Sequence, residues 1–196
     1  MISSIVLAAG MSTRMGAPKA LLPWDGQPLL AYQVQQLREA GVDEVIVVLG
    51  DDADEIHRAI RRSDCRVMLN ARFQMGRAGS LRVGAKAVDR DADAIVIVNV
   101  DQPRPAAFLR ALLEAHQPPA LITRPVFQGR HGHPIVVAGE LRGELLEADD
   151  DSQGLLAVVN RHRDRMAECP LDDLTLLDIN TPDAYEEARR RFGLGS

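Results

Sequence analysis

Apolar residues in the first half of the chain fall into short unbroken runs, each followed by a stretch with helical spacing. Ile2–Ala8, Glu44–Leu49, Arg66–Leu69 and Ala94–Val100 are continuous apolar or β-branched runs, the pattern of strands buried on both faces. Between them, residues 29–40 place Leu30, Val34 and Leu37 on one helical face, and Gly41 closes the helix. Residues 54–62 turn Ile56 and Ile60 inward. Residues 80–87 read as a helix with Ser80 as N-cap, and residues 105–115 as one with Pro105 in its first turn. Apolar strands alternating with helices predict an α/β fold: three layers, with a mostly parallel twisted sheet covered by helices on both faces. In such sheets ligands sit beyond the carboxyl ends of the strands. Chemistry is therefore expected after Ala8, Leu69 and Val100.

The second half is less regular. Residues 120–123, 134–137 and 174–177 read as strands, with Gly129, Gly132 and Pro134 shaping the loop between the first two. Residues 140–147 and 153–160 read as helices separated by a solvated acidic run, Asp149-Asp150-Asp151. Residues 182–192 form the last predicted helix, with Thr181 as N-cap, Pro182 at its first position and Asp183 in its first turn.

At 196 residues, 46% hydrophobic and 26% charged, the chain suits one globular domain. A net charge of −5 supplies no broad basic face, and 4% aromatics leave little for base stacking, so nucleic acid is not an expected partner. The two cysteines, Cys65 and Cys169, have neither zinc-ligand nor redox spacing. Buried, reduced thiols fit a cytoplasmic protein. No basic segment precedes the first apolar run, and no run approaches the ~20 residues needed to span a bilayer, so no membrane association is expected.

The most informative segment is Leu7-Ala8-Ala9-Gly10-Met11-Ser12-Thr13-Arg14-Met15-Gly16-Ala17-Pro18-Lys19-Ala20-Leu21-Leu22. It follows a strand end directly and carries two cations and no acid. Gly10 and Gly16 let backbone N–H groups approach a ligand, Arg14 can fork onto phosphate oxygens, and Lys19 adds a mobile charge. The stretch from Gly10 to Gly16 reaches ~20 Å when extended, enough to wrap a triphosphate. A Gly-rich loop elsewhere would read as a solvated surface turn; the strand-end position and uniform positive charge favour phosphate. Neither a Walker A pattern nor Gly-x-Gly-x-x-Gly is present, which speaks against a nicotinamide-dependent oxidoreductase.

This segment resembles the signature of the MobA-like nucleotidyltransferase family, and most closely its molybdenum cofactor cytidylyltransferases. The resemblance implies a Rossmann-like nucleotidyltransferase fold in a single domain spanning 1–196, with an NTP-binding half at about 1–100 and an acceptor-binding half at about 101–196. It also implies that Leu7, Ala8, Ala9, Gly10 and Gly16 contact the nucleoside triphosphate, and that Arg14 and Lys19 hold its phosphates. Ala9, giving Ala-Ala-Gly rather than Ala-Gly-Gly after Leu7, leans towards CTP over GTP.

Joining two polyanions calls for charge neutralisation, for which Mg²⁺ held by carboxylates is the usual agent. Asp101 follows the strand at residues 94–100, and Asp178 follows the run at 174–177 in Asp178-Ile179-Asn180-Thr181-Pro182. An isolated Asp at such a place is commonly a turn cap. Two at predicted strand ends, beside a cationic loop, point to metal, and the resemblance implies the same role for both, with Asp101 also catalytic. It further implies nucleotide contacts from Asn70, Gly79 and Ser80, and an acceptor-side role for the turn Arg130-His131-Gly132-His133-Pro134, with His133 foremost. Without further ligands, His131 and His133 do not make a metal site. Where cytidylyltransferases tend to carry Gly-Ala-Arg, this chain departs with Ser152-Gln153-Gly154-Leu155.

The function so implied is transfer of a nucleoside monophosphate from an NTP to a phosphorylated acceptor, molybdopterin foremost, with release of pyrophosphate and a molybdoenzyme as downstream partner. The alternatives are a sugar-phosphate or other small-phosphate nucleotidyltransferase, and a non-catalytic nucleotide-binding accessory of a molybdoenzyme.

Overall fold

A computed structural model describes residues 1–10 and 15–195. The strands are β1 (Ile2–Ala8), β2 (Pro23–Trp24), β3 (Gln27–Pro28), β4 (Glu44–Leu49), β5 (Arg66–Leu69), β6 (Ala94–Asn99), β7 (Ile122–Phe127), β8 (Arg130–His131), β9 (Ile135–Ala138) and β10 (Met166–Pro170). The helices are α1 (Leu29–Glu39), α2 (Ala53–Ala59), α3 (Arg77–Ala87), α4 (Ala106–Ala115), α5 (Arg142–Leu146), α6 (Leu155–Arg161) and α7 (Pro182–Arg191).

The main sheet runs β10-β7-β9-β6-β1-β4-β5, with β8 on β7. It is parallel except where β9 lies antiparallel between β6 and β7, and where β8 returns on β7. The expected mostly parallel sheet with helices on both faces is what forms. Alternation along the strands fills two cores. Val6, Val47 and Val96 face Leu30, Leu37, Ile56 and Leu112 on one side. Ile5, Ile46, Val48 and Ile97 face Leu81, Leu145 and Val159 on the other. Each such side chain, fully buried, contributes about 1.5–3 kcal/mol. A third cluster packs Trp24, from the β2–β3 hairpin, against Tyr32 of α1 and Tyr185 of α7.

Two local expectations are corrected, and one strand forms that the pattern does not predict. Residues 174–177 are not a strand: Asp173–Leu176 is a 3₁₀ turn, begun by Asp172, whose side chain accepts from Leu174 N. Capped by the Asp172 side chain, this short run winds into a turn instead. The strand that does form nearby, β10, has a weak signature, since Met-Ala-Glu-Cys-Pro lacks β-branched residues; it sits at the sheet edge, where a terminal Pro is tolerated. Finally, α3 begins at Arg77 rather than after Ser80, with Gly76 preceding it. The last helix keeps its expected start, with Thr181 Oγ1 accepting from Ala184 N at 3.2 Å. Among the described residues no helix is long and apolar enough to cross a membrane.

Candidate functional site

The carboxyl ends of β1 and β6 open on a cavity of about 280 Å³. Its wall brings together Leu7, Ala8, Ala9, Gly10, Lys19, Ser80 and Asp101, all singled out in the sequence. Strand pairing explains the juxtaposition: β6 lies beside β1 in parallel register, Leu7 opposite Asn99, and Val100 N donates to Leu7 O at 3.1 Å. Gln33 of α1 then donates to Val100 O at 2.8 Å, fixing the turn that presents Asp101.

Lys19 enters on a 3₁₀ turn, Lys19–Leu21, directly after Pro18. Its Nζ donates to Asp101 Oδ2 at 2.9 Å and to Asn180 Oδ1 at 2.9 Å. The side chains of Lys19 and Asp101 are only 12% and 23% exposed, so this pair is stronger than a surface ion pair. Asn180 brings the segment of Asp178 to the same edge, and Ile179 N donates to Asp101 O at 2.8 Å. Asp178 is solvent-exposed, yet the desolvation its neighbours impose, followed by the charge of Asp101, raises its carboxyl above the ordinary range; Asn180, Lys19 and Arg104 pull it back. The two aspartates therefore sense each other, although residues 173–176 are not the expected strand.

The staple beneath both is Arg104, 2% exposed. Its Nη1 donates to Pro103 O at 2.8 Å, its Nε to His133 O at 3.1 Å, and its Nη2 to Thr175 O and Leu177 O at 3.2 and 3.1 Å. Burial pulls its pKa down to about 10, opposed by Asp178, Asp172 and Asp101. Nothing in the sequence pattern singles out Arg104; a cation between two prolines reads as a turn residue. Asn180 is equally absent from the expected ligands, although it stands inside the segment that contains Asp178. Arg77 and Asn99 complete the far wall, Arg77 Nη2 donating to Asn99 Oδ1 at 2.8 Å.

Other expected residues stand apart. Arg14 lies outside the described residues. Gly16 has a left-handed φ of +69° and is not in the cavity wall. Asn70 and Gly79 line a neighbouring groove with Arg82 and Lys86. Asn70 Nδ2 donates to Ser80 Oγ at 2.9 Å, and its Oδ1 accepts from Arg72 N at 3.0 Å, so it braces the β5–α3 connection. Ser80 is not the N-cap of α3; it lies in the first turn. His133 is beside Arg104, and its imidazole is held down to about 4 by burial and by Arg124, Arg104 and Arg77. Its neighbour His131 pairs with Glu168 at 2.5 Å.

Known proteins resemble this chain in sequence and fold. The chain is 29% identical to the nicotine blue oxidoreductase of Paenarthrobacter nicotinovorans over 150 residues, 72% of each protein. It is 24% identical to the molybdenum cofactor cytidylyltransferase of Escherichia coli over 195 residues, 97% of each. It is 36% identical to the molybdenum cofactor guanylyltransferase of Xanthomonas euvesicatoria over 116 residues, 59% of this chain and 55% of that protein. Among solved structures, Rv0371c of Mycobacterium tuberculosis superposes with a TM-score of 0.84 at 32% identity, covering 96% of this chain and 97% of that one. Another structure of that protein is a complex with manganese. Residues 4–166 match the MobA-like NTP transferase domain. The chain belongs to the MobA-like NTP transferase family.

Proposed function

We propose that this nucleotidyltransferase moves a nucleoside monophosphate from an NTP, CTP in preference to GTP, to the phosphate of molybdopterin, releasing pyrophosphate. The observation that carries this reading is Lys19 bound to both Asp101 and Asn180 beside the Ala8–Gly10 strand end. An acceptor phosphate is already ionised, so attack on the α-phosphorus needs neither a covalent enzyme intermediate nor a strong base. Lys19, with Arg14, would hold the phosphates and stabilise charge on the equatorial and leaving oxygens. The first half of the single domain would bind the NTP and the second half the acceptor.

Asp101 and Asp178 fit a divalent ion, expected to be Mg²⁺. Desolvation and mutual repulsion raise the Asp178 carboxyl, a cost that a shared cation relieves. Among the described residues no group of three or more His, Cys, Asp or Glu forms a protein-only cage, and two carboxylates plus substrate phosphates are the donor set Mg²⁺ takes. Bound there, the ion would supply charge neutralisation at the phosphate oxygens.

The test is pyrophosphate release with Mg²⁺ and each of the four NTPs, with and without molybdopterin. CTP-selective release that requires the acceptor supports the reading. Release with a sugar phosphate instead moves the acceptor, and NTP binding without turnover makes the chain an accessory protein. The relative named an oxidoreductase motivates a second reading. Oxidation of a nicotinamide cofactor by this protein, with no pyrophosphate release from any NTP, would favour it.

A further inference from the structure

The acidic run at 149–151 reads in the sequence as a solvated loop, but its middle member is engaged. Asp150 Oδ1 accepts from Arg77 N at 3.0 Å and from Ala78 N at 3.1 Å, and its Oδ2 lies 3.2 Å from Ala78 N. These are the first two amides of α3, which lacks a side-chain cap from its own N-cap residue. A carboxylate there satisfies orphan N–H groups and meets the positive end of the helix dipole. The seat exists because residue 76 is Gly. Its φ is +121°, and a Cβ placed on it would stand 2.1 Å from Asp150 Oδ2. Gly76 and Asp150 are thus complementary shapes, brought together from distant parts of the chain.

What the cap holds is the cavity wall. Gly76, Arg77 and Ser80 all line the cavity described above. Arg77 is pinned at both ends, its backbone N by Asp150 and its guanidinium by Asn99 Oδ1. Asn99 in turn donates from Nδ2 to Gln102 Oε1 at 2.9 Å, beside Asp101. Among the described residues the cavity wall therefore carries two cations, Lys19 bonded to Asp101 and Arg77 bonded to Asn99. Asp149, next in the run, accepts from Ser152 N at 2.6 Å within its own turn.

We propose that Asp150 is a positioning residue: by capping α3 across Gly76 it fixes Arg77 as a substrate-facing cation of the cavity, and NTP affinity depends on that placement. This rests on the nucleotide reading of the cavity. The loss of a cap is worth about 1 kcal/mol, so the expected change is about fivefold in affinity.

The experiment measures dissociation constants for CTP and GTP with Mg²⁺ by calorimetry in the full chain, wild type, Asp150→Asn, Arg77→Ala, the double variant and Asp149→Asn. Amide exchange at Arg77 and Ala78 is followed alongside. Expected are weaker NTP binding and faster exchange at those two amides in Asp150→Asn, no further weakening when it is added to Arg77→Ala, and wild-type binding in Asp149→Asn. Gly76→Ala, which expels the same carboxylate from the other side, should reproduce the loss. The proposal is overturned if Asp150→Asn binds NTP as the wild type does, or if the two losses add in full. Wild-type protein that binds no NTP overturns the proposed function and this inference together; a normal wild type with an unaffected Asp150→Asn overturns the inference alone.

Discussion

The strand-end segment after β1 and the segment from Asp172 to Asn180 deliver side chains to the same edge by different means. The first needs only the sheet: β1 and β6 are parallel neighbours, so whatever follows Ala8 and Val100 arrives together. The second has no strand to carry it. It is a 3₁₀ turn held by carbonyls donated to by Arg104, by the Ile179–Asp101 backbone bond and by Asn180 on Lys19. Sheet geometry makes the first placement robust; the second depends on individual polar groups and so should fail one bond at a time.

The largest effect expected is at the shared point of both segments. Asp101→Ala should lower the rate of pyrophosphate release by about 10³, with Asp178→Asn following, since each removes charge control at transferring phosphates. A near-normal Asp101→Ala would break the comparison, because the strand end would then carry no chemistry. Arg104→Met should cost about 3–5 kcal/mol in chemical denaturation, leaving buried carbonyls unpaired and Asp178 without its neighbour. An equal loss from a surface arginine would show that the second segment does not rely on this staple.

His133 sharpens the comparison through pH. Its folded pKa of about 4 lies below the usual 6.5, so the neutral ring is the one the fold accepts. Between these values the unfolded chain binds the extra proton. Stability should therefore be flat above pH 7 and fall as pH drops from about 6.5 towards 4, by up to about 3 kcal/mol. Unfolding curves of wild type and His133→Gln across this range check it; the variant should lose most of the slope. The smallest effect is at the N-cap that follows Asn180: Thr181→Ala should cost about 1 kcal/mol by thermal unfolding and leave the rate nearly intact.

The two segments also differ in how much of them was legible. Unbroken apolar runs announce β1, β4 and β6, and a motif beginning at a strand end announces its cavity, so Ala8, Gly10, Lys19 and Asp101 could be read directly. Arg104, Asn180 and Asp150 act through bonds to residues far along the chain, and no local pattern encodes such a reach. The misplaced start of α3 has the same origin: Ser80 looked like the cap because the real one, Asp150, is supplied from elsewhere. The apolar run at 174–177 is a 3₁₀ turn because Asp172 caps it, and hydrophobicity alone does not distinguish a capped turn from a strand.

The aromatic cluster against the first turn of α1 gives the molecule a built-in optical signal. Trp24 is the chain's sole tryptophan, 1% exposed, with its ring 5.0 Å from that of Phe192 and 6.2 Å from that of Tyr185. Its emission therefore reports whether the carboxyl-terminal helix stays docked, and hence whether the residues just before it, Asp178 and Asn180, hold their place during turnover.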